Sequence, residues 1–315
     1  MRAVVIDRFG GPEVLTVRDL PVSEPGPGQV RVAVHAAGTN PVDAFNRNDG
    51  TWARISPPVV LGYDASGVVD ALGPGVADFA AGDDVFYMAE LFGQPQGTYA
   101  EYHVVDAGIV ARKPRGLSHV EAAAIPLAGS TAYEVVARRL AVQPGEWVLM
   151  HGAAGGVGSF AVQIAAARGA RVIGVASAHH HDFLRALGAV ACIDYHTRDV
   201  AAAALAAADG PIDVIADLVG GDALLRSLPA VRPFARAATI AGVNGELYPA
   251  CDANLTLHCV LVLHNRAVLE ALSDLVERGL LRPVVDLVLP LDEAERAHRR
   301  LDSGHGRGKV VLTVR

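Results

Sequence analysis

Four glycines, Gly152, Gly155, Gly156 and Gly158, separate an apolar run from an amphipathic one in the segment WVLMHGAAGGVGSFAVQIAAARGARVIGVAS. Residues this small let a backbone approach a pyrophosphate, whose charge is met by free N–H groups and the positive end of a helix dipole. Ala153 and Val157 complete the turn, and the predicted order of strand, turn, helix and strand reads as a dinucleotide site. Ala153 departs from the strict G-x-G-x-x-G pattern, and the competing reading is a tight strand-to-helix turn with no ligand. A unit that reads NAD sets an acidic residue about 20 residues beyond the glycines, where it accepts from both ribose hydroxyls. That place falls near Ala176 and is followed by Ser177, His179 and His180, whose donors suit a 2′-phosphate, so NADPH is expected in preference to NADH. The alternative is a solvated loop with incidental histidines.

No comparable pattern points to a metal. Cys192, Cys251 and Cys259 fall outside any C-x-x-C spacing and make an odd total, which argues against a disulfide framework or a cysteine zinc site. They are expected to be buried small hydrophobes. The consecutive His179, His180 and His181 splay apart on a turn and make a poor ligand set.

These residues must be positioned by a chain of 315 residues, long enough for two domains. Twenty-seven Lys and Arg against 34 Asp and Glu leave a formal charge of −7, which argues against broad binding to a nucleic-acid backbone. Hydrophobic residues reach 51%, yet Gly, Pro, Arg or Asp interrupts every apolar stretch before about 18 residues, so no membrane span is expected. The opening MRAVVIDRFGG lacks the apolar region and cleavage site of a secretory signal, and a cytoplasmic protein is expected.

Up to about Lys113 short strands alternate with turn residues. Gln29 to Ala36 carries Val30, Val32 and Val34 at a period of two, and Ala3 to Ile6, Gly67 to Ala71 and Tyr99 to Val105 are further strands. Ser118 and Glu121 form a capping box that opens a helical region. Strands at Trp147 to His151, Arg171 to Ala176, Ile212 to Asp217 and Ala237 to Ala241 then alternate with helices, the mark of βαβ units and a parallel sheet. The nearly pure alanine stretch Val200 to Ala208 reads as a helix. An extended run from Pro283 to Leu289, a helix opened by Asp292 and Glu295 in capping-box spacing, and a strand from Lys309 to Val314 close the chain.

Blocks spread almost end to end carry a resemblance: GTNPVD (Gly38 to Asp43), LGYDASGVV (Leu61 to Val69), GDDVF (Gly82 to Phe86), GTYAEY (Gly97 to Tyr102), AAAIPLAGSTAYE (Ala122 to Glu134), HGAAGGVG and RGKVVLTV (Arg307 to Val314). The chain resembles the medium-chain dehydrogenase/reductase superfamily, in its zinc-free, quinone oxidoreductase-like (zeta-crystallin-like) group. The resemblance implies an α/β fold, with a doubly wound Rossmann sheet inserted into a β-rich GroES-like catalytic domain. The catalytic domain would span 1–122 and 268–315, and the NADP(H)-binding domain 123–267. It also implies a homodimer, with the apolar run Leu255 to Leu263 (LTLHCVLVL) at a sheet edge.

Zinc-dependent relatives use a Cys and a His where this chain has Asn40 and Tyr63, and Asp64 stands at the family's glutamate. By resemblance, Asn40 lies near the nicotinamide, Thr131 orients cofactor or substrate, and Tyr63 donates to the acceptor oxygen. The structural alternatives are a turn ahead of Pro41, a helix cap and a core residue. His180 stands where relatives often carry a phosphate-binding Lys, Tyr195 matches a tyrosine at the same phosphate, and Gly242, Arg307 and Lys309 are further expected cofactor contacts. Phe45 replaces a tyrosine often found in the family, which leaves proton delivery to water. Phe45, Trp52, Met88 and Phe92 are either an apolar substrate wall or plain core.

The resemblance therefore implies hydride transfer from NADPH to a quinone or an α,β-unsaturated carbonyl compound, without metal. An enoyl-thioester reductase is the alternative within enzymes, with only scattered Arg47, Arg54 and Arg112 to meet a phosphorylated tail. A nucleotide-bound regulator or RNA-binding crystallin-like protein is the alternative from another class.

Overall fold

The structure, a computed structural model, describes residues 1–93, 96–304 and 306–315. The chain forms two units. The first contains Met1–Ser130, Leu263–Gly279 and Pro283–Arg315; the second contains Thr131–Val262 and Leu280–Arg282. The helix Pro126–Tyr133 carries the chain from one to the other, so the division falls at Ser130. Leu280–Arg282 counts with the second unit because the Gln163 side chain donates to the Arg282 carbonyl and accepts from its N–H, both at 3.0 Å.

In the first unit the strand Gln29–Gly38 is the spine. Its Val30, Val32 and Val34 are fully buried, as their period of two requires. Asp64–Leu72 pairs antiparallel along it, Tyr102–Asp106 and Lys309–Thr313 also pair with it, and Asp84–Met88 and Ala111–Arg112 extend the sheet beyond Asp64–Leu72. Val285–Pro290 lies parallel to Lys309–Thr313 at the other edge. A smaller antiparallel sheet joins Arg2–Ile6 to Thr16–Asp19 and Val59–Val60. The Ser118 box forms as expected, with Ser118 Oγ accepting from Glu121 N and Glu121 reaching back to Ser118 N at 2.8 Å.

The second box does not form. Asp292 lies within a 3-10 turn, Leu291–Glu293, that runs straight into the helix Ala294–Asp302, so Glu293 takes the cap position without a side-chain bond. The expected strand from Tyr99 begins only at Tyr102, since Tyr99 and Ala100 are drawn into the core beside Ala3. The cysteines also depart from expectation. Cys192 is half-buried, while Cys251, on the short helix Tyr248–Asp252, and Cys259, on an edge strand, are exposed.

The second unit is a six-stranded parallel sheet with the spatial order Ala189–Ile193, Arg171–Val175, Trp147–His151, Ile212–Asp217, Val231–Thr239, Thr256–Cys259. Numbered along the chain this is 3-2-1-4-5-6, the doubly wound order, and it reverses direction beside the strand that leads into the glycine turn. Leu149, Ile173, Ile215 and Ala237 form its core with Ala201 and Ala204 of the alanine helix Val200–Ala208, which Asp199 caps by accepting from Ala202 N at 2.8 Å. Among the described residues, no helix is long and apolar enough to cross a membrane.

The glycines of the turn have different duties. Gly152 takes a left-handed φ of +66°, which only glycine adopts freely. A Cβ on Gly158 would lie 2.2 Å from the Gly152 carbonyl oxygen and 2.6 Å from that of Ala153, so the helix Gly156–Ala167 can sit this close to the strand end only without it. A Cβ on Gly155 would meet nothing nearer than 3.4 Å. Gly158→Ala is therefore expected to lower stability by about 1–3 kcal/mol through overpacking against backbone, and Gly155→Ala to stay within about 0.5 kcal/mol. Thermal melting of the two variants without cofactor checks this, and equal losses would refute the assignment.

Candidate active site

The helix Gly156–Ala167 starts from Gly155, whose position carries no side-chain acceptor for the first-turn amides. Those N–H groups and the helix dipole are open to an anion at the end of the strand Trp147–His151. Gly242, in the loop after Val231–Thr239, has open space where a Cβ would stand. Asp217 closes the neighbouring strand end by accepting from Val219 N at 3.1 Å, Gly220 N at 2.9 Å and Thr239 Oγ1 at 3.1 Å. After the next strand, Ser177 Oγ lies 3.5 Å from the Tyr195 hydroxyl and 3.3 Å from His196 Nε2. His179 and His180 follow in a 3-10 turn with ring centroids 3.9 Å apart. The turn thus fits a nicotinamide dinucleotide, with open amides for the pyrophosphate. His196 escaped the reading of the sequence, although it adjoins Tyr195.

In the first unit Asn40, Asp43, Asp64, Tyr99 and Lys309 form a buried polar seam. Asn40 precedes the helix Pro41–Asp49, and Asp43 at its third position reaches back to accept from Asn40 N at 2.7 Å. Lys309 Nζ, 3% exposed, donates to the Thr39 carbonyl at 2.8 Å and to Asn40 Oδ1 at 2.5 Å, and pairs with Asp64 at 3.2 Å. Asp64 accepts in addition from Asn40 Nδ2 at 2.9 Å and from Leu127 N at 2.7 Å. Its carboxyl is raised above the ordinary range by burial, against the pull of Lys309. The expected cofactor contact Lys309 is thus held in an internal ion pair, because a buried ammonium without a counter-charge would cost several kcal/mol, of order the penalty for an unpaired buried ion. Arg307 instead lies at the surface, 3.4 Å from Asp286.

Tyr63 is buried, accepting from Asn46 Nδ2 at 2.5 Å and donating to the Leu91 carbonyl at 3.2 Å. Burial and the nearby Asp43 push its pKa up. The donor expected for the acceptor oxygen is therefore engaged with backbone. Thr131 is buried within Pro126–Tyr133, inside a helix and not at its cap. Trp52 and Phe92 come together edge to face at 5.8 Å and remain partly exposed, Phe45 is exposed, and Met88 is sealed into the core strand Asp84–Met88. Arg47 is not a surface cation: it is 1% exposed and donates to Gly10 O, Asn48 and Asp302. Among the described residues, no group of three or more His, Cys, Asp and Glu is placed to hold a metal ion.

Asp43 of the seam and His298, whose ring lies against Tyr99, are shifted in opposite senses. Asp43 is pushed up to about 7 by burial and by Asp64, against hydrogen bonds from Tyr99 and Asn40 N and the charge of Lys309. His298, beside Arg47 at 3.1 Å and edge-on to Tyr99, is pushed down to about 3 by burial and by Arg47. The stability carried by protonated Asp43 is complete below its ordinary value of 3.8 and is lost as pH rises to about 7. That carried by neutral His298 is complete above its ordinary value of 6.5 and is lost as pH falls to about 3. Over the overlap the two slopes, each about 1.4 kcal/mol per pH unit, cancel. Melting from pH 4.5 to 6.5 should therefore show Asp43→Asn gaining stability relative to the parent as pH rises and His298→Gln losing it; parallel curves would refute the pairing.

Comparison with known proteins agrees with this architecture. Residues 26–115 match the family described as "Alcohol dehydrogenase GroES-like domain" and residues 187–312 the one described as "Zinc-binding dehydrogenase". The chain is 36% identical to a quinone oxidoreductase of Pseudomonas aeruginosa, over 96% of this chain and 97% of that protein. It is 32% identical to a 2-haloacrylate reductase of a Burkholderia species, over 98% of each. Among solved structures, one titled as an NAD-dependent alcohol dehydrogenase superposes with a TM-score of 0.94 at 37% identity over the whole of both chains. The Escherichia coli quinone oxidoreductase complexed with NADPH superposes at 0.91 with 29% identity, again over both whole chains. The chain belongs to the medium-chain dehydrogenase/reductase superfamily, in its quinone oxidoreductase-like group.

Proposed function

We infer that this protein is an oxidoreductase that uses a nicotinamide cofactor, NADPH in preference to NADH, to reduce a quinone or an α,β-unsaturated carbonyl compound. The observation that carries the reading is the doubly wound sheet with open amides at its glycine turn and with Ser177, not an acidic residue, after the end of Arg171–Val175, where Tyr195 and His196 approach its hydroxyl. The quinone and haloacrylate specificities of the two relatives support the acceptor class. One solved relative is titled for NAD and another for NADPH, so the preference rests on this chain's own residues.

When bound, the cofactor supplies the hydride. We assign the Asn40 amide to orienting the cofactor or substrate, a role supported by its fixed setting, with the oxygen facing Lys309 and one N–H facing Asp64. Thr131 is the second polar residue we assign to orientation, and Trp52 with Phe92 forms an apolar wall for a flat acceptor. Phe45 has no hydroxyl and the Tyr63 proton is committed to Leu91, so the proton comes from water. A conjugated acceptor suits this site because the developing charge spreads over an enolate or quinol. A thioester with a phosphorylated tail suits it less, since Arg47 is buried in internal contacts and Arg112 pairs with Asp83 at 2.9 Å. We also assign a homodimer joined at Thr256–Cys259, whose in-chain partner lies on one side only and which is followed by the exposed Leu261 and Leu263.

NADPH oxidation followed across quinones, enones and enoyl thioesters should show turnover with the first two classes, undiminished in a strong chelator, and a higher kcat/KM with NADPH than with NADH. Trp52→Ala should raise KM for a quinone about tenfold, the size of one lost aromatic contact, with kcat nearly unchanged. Absence of turnover with both quinones and enones would overturn the activity, and a solution mass of one chain would overturn the dimer.

A further inference from the structure

Asp64 and Lys309 meet the Asn40 amide from two sides, and all three side chains are buried. The two carboxylate oxygens of Asp64 have separate partners. Oδ1 accepts from Leu127 N at 2.7 Å, in the first turn of Pro126–Tyr133, while Oδ2 accepts from Asn40 Nδ2 at 2.9 Å and from Lys309 Nζ at 3.2 Å. The other two N–H groups of the ammonium go to the Thr39 carbonyl at 2.8 Å and to Asn40 Oδ1 at 2.5 Å, so its three donors are all engaged. An ammonium only donates and a carboxylate only accepts. Turning the Asn40 amide over would therefore set N–H against N–H at Lys309 and oxygen against oxygen at Asp64, two repulsions in place of two hydrogen bonds. Stability alone does not call for such a pair, because a buried ion pair can often be replaced by neutral side chains of similar volume without loss.

We propose that Asp64 and Lys309 are positioning residues for hydride transfer, which act by holding Asn40 as an N–H donor toward an acceptor oxygen of the cofactor or the substrate. The proposal rests on the assignment of Asn40 made under Proposed function. With its oxygen taken by Lys309, the amide has only its nitrogen end to present, and the ammonium on that oxygen polarises the N–H groups and makes them better donors. Hydride transfer depends on alignment, and a small misplacement of an orienting group slows it steeply. The polar atoms of Asp64 and Lys309 are themselves engaged inside the unit, so their influence on the reaction passes through Asn40.

Asp64→Asn combined with Lys309→Met tests this on the full chain: it removes both charges together, so neither is left buried alone, and it keeps an oxygen for Leu127 N. This pair variant should melt close to the parent. In single-turnover reduction of a benzoquinone by NADPH it should transfer hydride about tenfold to a hundredfold more slowly, with the NADPH dissociation constant changed by less than about threefold. Asn40→Ala should slow the same step by a similar factor, and adding the pair variant to Asn40→Ala should slow it no further. The protein without cofactor gives a second readout. With isotope-labelled asparagine, the Asn40 side-chain amide, identified by its loss in Asn40→Ala, should show one sharp pair of N–H signals in the parent and a doubled or broadened set in the pair variant. An unchanged transfer rate in the pair variant, additive slowing on the Asn40→Ala background, or a single sharp amide in the pair variant overturns the proposal. If the pair variant does not fold, Asp64→Asn alone carries the same comparisons. Transfer at the parent rate in Asn40→Ala would overturn the assignment of Asn40 and this proposal with it, while leaving the oxidoreductase reading in place.

Discussion

Lys309 and Asp64 form the constraint around which the first unit is arranged. Both are buried, 245 positions apart along the chain, and neither charge is tolerable alone in that environment. Their pairing requires Lys309–Thr313 to lie beside Gln29–Gly38, which in turn pairs with Asp64–Leu72. A β-rich unit assembled from both ends of the chain thus carries, within its apolar packing, a charge pair that joins the two ends. The backbone takes part as well: Thr39 O accepts from Lys309, and Leu127 N donates to Asp64.

That pair also determines what Asn40 can do. A free asparagine amide can flip, since its oxygen and nitrogen ends are nearly the same size. Here an ammonium faces the oxygen and a carboxylate faces the nitrogen, so one orientation is strongly favoured. Asp43 adds a second restraint by holding the Asn40 N–H from the first turn of the helix. The satisfaction is incomplete in and beside the seam, where Asp43 Oδ1, Asn46 Oδ1 and His298 Nε2 are buried without a hydrogen-bond partner among the described residues. Orphaned atoms of this kind lose solvation without recovering it, which is why Asp43 and His298 depart so far from their ordinary titration.

Legibility in the sequence followed the range of the interactions. Trp147–His151, Ile212–Asp217 and Val200–Ala208 appear with the bounds that local pattern predicts, because each depends on a run of apolar or helix-favouring residues. The Ser118 capping box needs only residues three apart, and it forms. The similar spacing at Asp292 fails because the preceding turn is 3-10, a feature its residues do not announce. Asn40 and Tyr63 were identifiable as residues of interest, but their partners, Lys309 for one and Leu91 for the other, are set by tertiary pairing and invisible to spacing. The internal partners of Lys309 are hidden for the same reason. Its motif marks a position, while its counter-ion lies in a segment far away along the chain.

The buried phenols complete the argument about protons. Tyr63 donates to the Leu91 carbonyl and Tyr99 to Asp43 at 2.8 Å. Tyr87 lies 3.0 Å from His103 Nδ1, and because His103 Nε2 donates to the Gln96 carbonyl at 2.9 Å, Nδ1 is the acceptor and the Tyr87 hydroxyl the donor. Burial pushes the pKa of all three tyrosines up, so each keeps its proton and spends it inside the unit. A hydroxyl committed to holding a fold is a poor acid for a reaction, since giving up the proton would leave a buried phenolate. These three phenols thus act as donors within the unit, each holding a carbonyl, a carboxyl or an imidazole in place.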